Sequence, residues 1–449
     1  MKPRELSFWI KIRESMWFLP SVLVFGGLVL APVMIWIDAN FGPQIDEILP
    51  FAYDAGAPGA RVILGTIAGA MATVVGIAFS ITIVVLQLAA GQYSPRVITT
   101  FRRDRGQQVV LGTYLATFIY ALLVVRQVEG PFEGDDAFIP GLSMLVALGL
   151  AVLCLGMLVY FVHHTSEQLR VSDISRRIHE DLLDIGEHLY PEGIGESHES
   201  ELEDRDLVAQ LKGSERPSAL IRSSESGYLR QVDTDQVESL ADDSVEAIRI
   251  CPRIGEFVVK RGPLVELYFD SELSCDDFED LEKDARSAFL IGPRPTVAQN
   301  PELGIQQLVD IALRALSPGI NDPTTAEQVL AQLGDWIARL AHQDFPREVR
   351  LVNGRTVVAP RPSFEDHLRE AFEQIRRVAA PQVHVLHSLL DVYTRIIETE
   401  PPDDRLRPLR HQVEAVARLA TEENVPEPHE RQDLVDHANQ ILAQLPPDQ

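Results

Sequence analysis

Residues 62–90 read VILGTIAGAMATVVGIAFSITIVVLQLAA and contain no Asp, Glu, Lys, Arg or His. A helix needs about 20 mainly apolar residues to cross the hydrocarbon of a bilayer, so this stretch alone specifies a membrane span. Residues 17–37, 109–125 and 139–162 are also free of ionisable side chains and predict three more. The third run is the shortest, and Gln107, Gln108 and Arg126 at its ends are placed to reach the headgroups. Four spans therefore occupy residues 1–162. As drawn, none carries a carboxylate or base at membrane depth, which disfavours a proton-coupled carrier.

Basic residues in short loops are retained on the cytoplasmic side. Lys2, Arg4, Lys11 and Arg13 precede the first span, Arg96, Arg102, Arg103 and Arg105 separate the second from the third, and Arg170, Arg176 and Arg177 follow the fourth. All three clusters fall on one side. The opposite loops hold Arg61 and Arg126 beside acidic residues that include Asp46, Glu47, Asp54, Glu129, Glu133, Asp135 and Asp136. The expectation is a multi-pass protein of the bacterial cytoplasmic (inner) membrane with both termini in the cytoplasm.

The second span differs from the others in its polar pattern. Thr66, Thr73, Ser80 and Gln87 stand seven apart, and a second row, Gly69, Gly76 and Ala90, runs three residues on. A seven-residue spacing keeps a stripe on one face of a supercoiling helix. Such a stripe serves either helix packing through small residues and hydroxyls or the lining of a water-filled path, and Gln87 favours the wet face. At about 1.5 Å per residue this helix is longer than the hydrocarbon is thick. In the third span Thr113, Thr117 and Tyr120 share a face expected to pack inside the bundle.

From His163 onward the composition changes. Thirty Lys and Arg stand against 55 Asp and Glu, a formal charge of −25 out of −26 for the whole chain. So acidic a surface repels nucleic acid, keeps the tail off an anionic membrane and concentrates cations. Residues 163–217 predict a connecting amphipathic helix, with Ile174, Ile178, Leu182 and Ile185 on one face, and then an acidic linker. Short strand-like runs at 219–222, 228–232, 245–251, 257–259 and 264–269 make residues 218–270 a small β-rich domain, with Thr234 placed to cap one short helix. The turn-strand-turn-strand pattern from Gly255 to Leu264 resembles lipoyl and biotinyl carrier barrels. No Met-Lys-Met string occurs there, so a barrel-like segment is implied and no cofactor.

Residues 271–449 are mainly helical. Helices are expected near 276–289, 304–316, 324–341, 364–379, 383–399, 405–421 and 430–445. Ser363 and Asp366 have capping-box spacing, and Asn353-Gly354 between two short apolar runs is a strong hairpin signal. The fold class expected is thus membrane α-helical, a four-helix N-terminal bundle plus a cytoplasmic α+β tail with a helical C-terminal region.

The string from Ala315 to Ala326, ALSPGINDPTTA, reads as a polar turn between helices. Gly319 would supply a positive φ, Asn321 or Asp322 a cap, and Pro323 the first turn. Ser317, Asn321, Asp322 and Thr324 also offer oxygens and a helix N-terminus to an ion or small anion. Residues 79–90 with 92–96, together with 314–323, resemble a domain-of-unknown-function family of predicted bacterial membrane proteins over nearly the whole length. That resemblance implies location and topology and carries no activity.

His384 and His387 are three apart on one helix, and no third ligand follows by spacing. Cys154, Cys251 and Cys275 have no metal-ligand spacing either, so no metal is expected. No phosphate loop, nucleophile elbow or HExxH string occurs, so an enzyme is not expected. The sequence favours a homo-oligomeric channel for cations or small solutes in the lipid bilayer. Its path would be lined by Thr66, Gly69, Thr73, Gly76, Ser80 and Gln87 and focused or gated by the acidic domain. The alternative is a membrane-anchored sensing or scaffold protein whose tail binds a partner or ligand.

Overall fold

The computed structural model describes residues 17–48, 56–92, 105–128, 138–168, 171–189, 196–197, 217–241, 245–269, 275–296, 299–345 and 348–446. The chain divides into two compact units, residues 1–173 and 174–449. The basic residues before the first span, those at 96–103, Arg170 and nearly all of the acidic linker lie outside the described residues.

The first unit is built from α1 (Phe18–Ile48), α2 (Gly56–Gln92), α3 (Arg105–Arg126) and α4 (Gly141–Gln168). All four are long and apolar enough to cross a membrane, and they match the four expected spans. The shortest, α3, is the centre: it packs against each of the other three. Half of its span is buried, against 17–22% for the others. Thr117 and Tyr120 are fully buried on it and Thr113 is half-buried, as the spacing of that face predicts. Two glycines let α1 and α3 approach closely. A Cβ on Gly27 would sit 2.7 Å from the Ala116 carbonyl oxygen, and one on Gly112 2.9 Å from the Pro20 Cα.

At about 1.5 Å per residue, the 37 residues of α2 extend well past the hydrocarbon. The helix ends are tied by polar contacts where α1 and α3 finish and α2 and α4 begin. Arg61 donates from Nε and Nη2 to the Val128 carbonyl at 3.1 and 2.6 Å, and the Tyr120 hydroxyl donates to the Ser143 carbonyl at 3.0 Å.

The second unit opens with α5 (Val171–Leu189), whose Ile174, Ile178 and Leu182 are buried at the predicted spacing. Then come β1 (Glu196–Ser197), β2 (Ser218–Arg222), β3 (Gly227–Val232), α6 (Thr234–Leu240), β4 (Val245–Ile250), β5 (Phe257–Val258), β6 (Pro263–Phe269), α7 (Cys275–Ser287) and β7 (Phe289–Gly292). Among the described residues the strands form no closed barrel. One sheet has six strands in the order β1-β8-β9-β4-β6-β2 and the other three in the order β5-β3-β7, with β8 (Val349–Val352) and β9 (Arg355–Val358) supplied by the predicted hairpin. Ile221, Leu229, Val245, Ile248, Val265 and Leu267 form their shared core. Asn353 and Gly354 take the positive φ values of the hairpin turn, 51° and 76°.

Two local readings change. The helix expected through Phe289 stops at Ser287, and Phe289–Gly292 pairs with β3 instead. The short helix α6 is capped by Asp233, which accepts from the Gln236 amide, and Thr234 is its first residue.

The remaining helices are α8 (Pro301–Ala315), α9 (Pro323–Ala341), α10 (Phe364–Val378), α11 (Val383–Glu398), α12 (Asp403–Ala417) and α13 (Pro428–Leu442). Ser363 and Asp366 form the full capping box at the start of α10. Trp336, Phe372 and Tyr393 are buried in the helical core, the last two as an edge-to-face pair 5.3 Å apart. A Cβ on Gly186 would fall 2.6 Å from the Trp336 ring, so α5 seats on α9 through a glycine.

Candidate functional site

The proposed stripe on α2 points away from its own bundle. Thr66, Gly69, Thr73, Gly76, Ser80 and Gln87 are all exposed. A Cβ on Gly69 or Gly76 would meet nothing within 4 Å. The hydroxyls of Thr66, Thr73 and Ser80 donate to the carbonyls of Val62, Gly69 and Gly76 one turn earlier, at 2.7, 3.1 and 2.9 Å. Each hydroxyl is thereby satisfied within its own helix, whatever the face meets.

The sequence places Asp38 just beyond the first span, whereas α1 runs through it and buries it to 3% exposure. Its Oδ1 accepts from the Leu142 amide at 2.9 Å. Oδ2 accepts from the Ser143 amide at 2.8 Å and from the Ser143 hydroxyl at 2.5 Å. Asp38 therefore caps α4 from another helix, satisfying amides that a helix start leaves open. The bundle is not free of ionisable groups, and this one has a structural partner set.

In the turn between α8 and α9, the left-handed residue is Asn321, with φ 47°, and not Gly319. Asp322 is the cap: Oδ1 accepts from the Thr325 amide at 3.2 Å and Oδ2 from its hydroxyl at 2.6 Å. Ser317 donates its hydroxyl to the Arg314 carbonyl at 2.6 Å. Asn321 and Thr324 are exposed. The four side chains thus belong to a self-capped turn, apart from the cavity described below.

His387 does not group with His384. It meets His437 on α13, with the two Nδ1 atoms 3.0 Å apart and the rings stacked. Asp391 lies 3.6 Å from the far nitrogen of His437. Among the described residues no three His, Cys, Asp or Glu side chains gather as metal ligands.

A cavity of about 380 Å³ opens in the second unit where both sheets meet the start of α8. Its walls are apolar, with Val232, Val237, Ile250, Ile254, Val352 and Val357 among them, and into them are set Arg253, Arg350, Arg361, Glu238 and Glu302. Period two along β8 puts Arg350 and Val352 on one face, and Val357 pairs with Arg350 in register. Asn300, buried, accepts from the Leu303 amide at 3.3 Å and starts α8, which places Glu302 in its first turn. Gln299 holds this segment to β3 by accepting from the Val232 amide at 3.1 Å and donating to its carbonyl at 3.4 Å. Gly255 is required opposite: its φ is 88°, and a Cβ there would fall 2.1 Å from the Asn300 side-chain nitrogen.

Arg350 is 6% exposed. Burial, with the nearby Arg361 charge second, pulls its guanidinium down to about 10, so it stays charged at neutral pH. Burial also raises Glu302, with Glu370 and Asp366 adding to the effect and Arg253 opposing it. The cavity residues come from five separate segments, and nothing in their spacing groups them. The one signal available in the sequence was arginine on short apolar runs, as in Val349-Arg350-Leu351-Val352, within so acidic a tail.

A family model described as "Predicted membrane protein (DUF2254)" matches residues 13–395. A protein of Mycobacterium bovis and one of Mycobacterium tuberculosis, each named only as an uncharacterized protein, are 31% identical to this chain over 415 residues, covering 92% of this chain and 77% of theirs. No solved structure matches.

Proposed function

This chain belongs to the DUF2254 family of predicted membrane proteins, and from that premise we propose that it is an oligomeric channel of the bacterial inner membrane. In this reading both termini lie in the cytoplasm, α2 lines a path for cations or small solutes between copies of the chain, and the acidic unit feeds or gates that path. The observation that carries it is the outward exposure of the α2 stripe. A face of small residues and back-bonded hydroxyls, left uncovered by its own bundle, suits close approach of neighbouring copies. Gln87 and the length of α2 support extension of that face toward water. The formal charge of −25 carried by residues 163–449 favours cations over anions.

Purified full-length protein should run as an oligomer by mass measurement in detergent and give discrete cation currents in planar bilayers. Thr73→Leu and Ser80→Leu, which add bulk to the stripe, should reduce unit conductance or the oligomer. A monomer, or silent bilayers with an intact oligomer, overturns the channel and leaves a membrane-anchored sensing or scaffold module.

A further inference from the structure

We propose that the cavity between the two sheets and the start of α8 is a binding site for a small amphipathic anion, a carboxylate or phosphate carried on an apolar body. This goes beyond the pore reading and does not depend on it.

The size fits. Small-molecule pockets occupy about 300–1,000 Å³ and are mostly apolar with a few placed polar groups, and this cavity, at about 380 Å³, is built that way. Its charge is unlike that of its surroundings. Three guanidinium groups, from Arg253, Arg350 and Arg361, face two carboxylates, from Glu238 and Glu302, in a region where acidic residues outnumber basic ones 55 to 30.

Here Arg350 is buried with Arg361 near enough to oppose its charging. Arg350 and Arg361, with Arg253, thus bring guanidinium groups to one apolar chamber, where a carboxylate or phosphate meets several N–H donors at once. Arginine reads carboxylate and phosphate through paired N–H donors at fixed spacing, which a lysine would not do. The apolar wall from Val232, Val237, Ile250 and Val352 selects for an organic body over a bare inorganic ion. Glu302 and Glu238 disfavour a heavily charged one.

The wall is also fixed before any ligand arrives. Gln299 clamps its segment to the Val232 backbone, Asn300 caps α8, and Gly255 has no room for a side chain beside Asn300. A pre-formed site loses little entropy on binding.

The test is thermal unfolding of the full-length protein in a neutral detergent, followed by tryptophan fluorescence. Four probes are added separately: 4-phenylbutyrate, phenyl phosphate, inorganic phosphate and phenol. Either or both of the first two should raise the unfolding temperature by roughly 5 °C at saturation, with inorganic phosphate and phenol well below that. Arg361→Gln should weaken the apparent affinity about tenfold, and Arg350→Gln should abolish the shift. Arg339→Gln, outside the cavity lining, should leave it unchanged. Where Arg350→Gln does not fold, Arg253→Gln replaces it and should weaken binding as Arg361→Gln does. No shift with either organic anion, an equal shift with phenol or inorganic phosphate, or a full shift retained in the folded cavity variants overturns the proposal.

Discussion

The two units of this chain invert one another. In the membrane unit, α3 is the least hydrophobic of the four spans and the most buried. Phe25, Trp36, Val62 and Val159 meanwhile stand on the outside. In the second unit the large apolar side chains go inward, and Trp336, Phe372 and Tyr393 are buried almost completely. Both arrangements follow one rule with two solvents. Lipid is as apolar as leucine, so a bundle in it gains nothing by hiding its hydrophobic residues, whereas water drives them into a core.

The largest test of that contrast compares two tryptophans. Trp336 is 2% exposed, and Trp336→Ala should cost about 3–5 kcal/mol in denaturant unfolding of the second unit. Trp36 is 60% exposed in the bundle, and Trp36→Ala should change the stability of the purified protein in detergent by less than about 0.5 kcal/mol. A Trp36 effect as large as that of Trp336 would break the inversion, because it would place the outer face of α1 in a protein core.

A smaller effect separates the units by their buried ionisable groups. His367 is buried, with Phe345 6.0 Å away, and burial lowers it to about 4, with Asp366 opposing the shift. The unfolded chain titrates near 6.5. Between those values the unfolded state binds more protons than the folded one, so stability is full above the upper value and falls as the pH drops through the window. The loss attributable to His367 should reach roughly 3 kcal/mol at the lower end. Urea melts from pH 7 to pH 4 should show this slope in the natural chain and a shallower one in His367→Phe. Identical slopes would place His367 in a wetter setting.

Much of this architecture was legible in advance because its signals are local. Residues 62–90 cannot be anything but a span, Asn353-Gly354 dictates its turn, and Ser363 with Asp366 closes a capping box. The misses are the non-local features. Phe289–Gly292 is a strand only because β3 lies beside it. Asp38 reads as a loop residue until α4 delivers two amides and a hydroxyl to it. Asn321 takes the left-handed position two residues after a glycine that could adopt it at less cost. The cavity assembles Arg253, Arg350 and Arg361 across about a hundred residues of sequence, and no periodicity connects them.

Asp38 is what the membrane unit has in place of a buried neutral histidine. Both carboxylate oxygens are acceptors in use. Asp38→Asn keeps the shape and converts one acceptor into a donor, which then faces an amide or hydroxyl of the α4 start. The expected cost is about 2 kcal/mol, the order of a lost hydrogen bond to a charged group. Ser143→Ala removes only the hydroxyl contact and should cost about 1 kcal/mol. Thermal unfolding in detergent, run as a double-mutant cycle, should find the pair less than additive, because both changes remove the same bond. Strict additivity would mean that the carboxylate acts on the α4 amides alone, and the fourth span would then be held by its backbone rather than by Ser143.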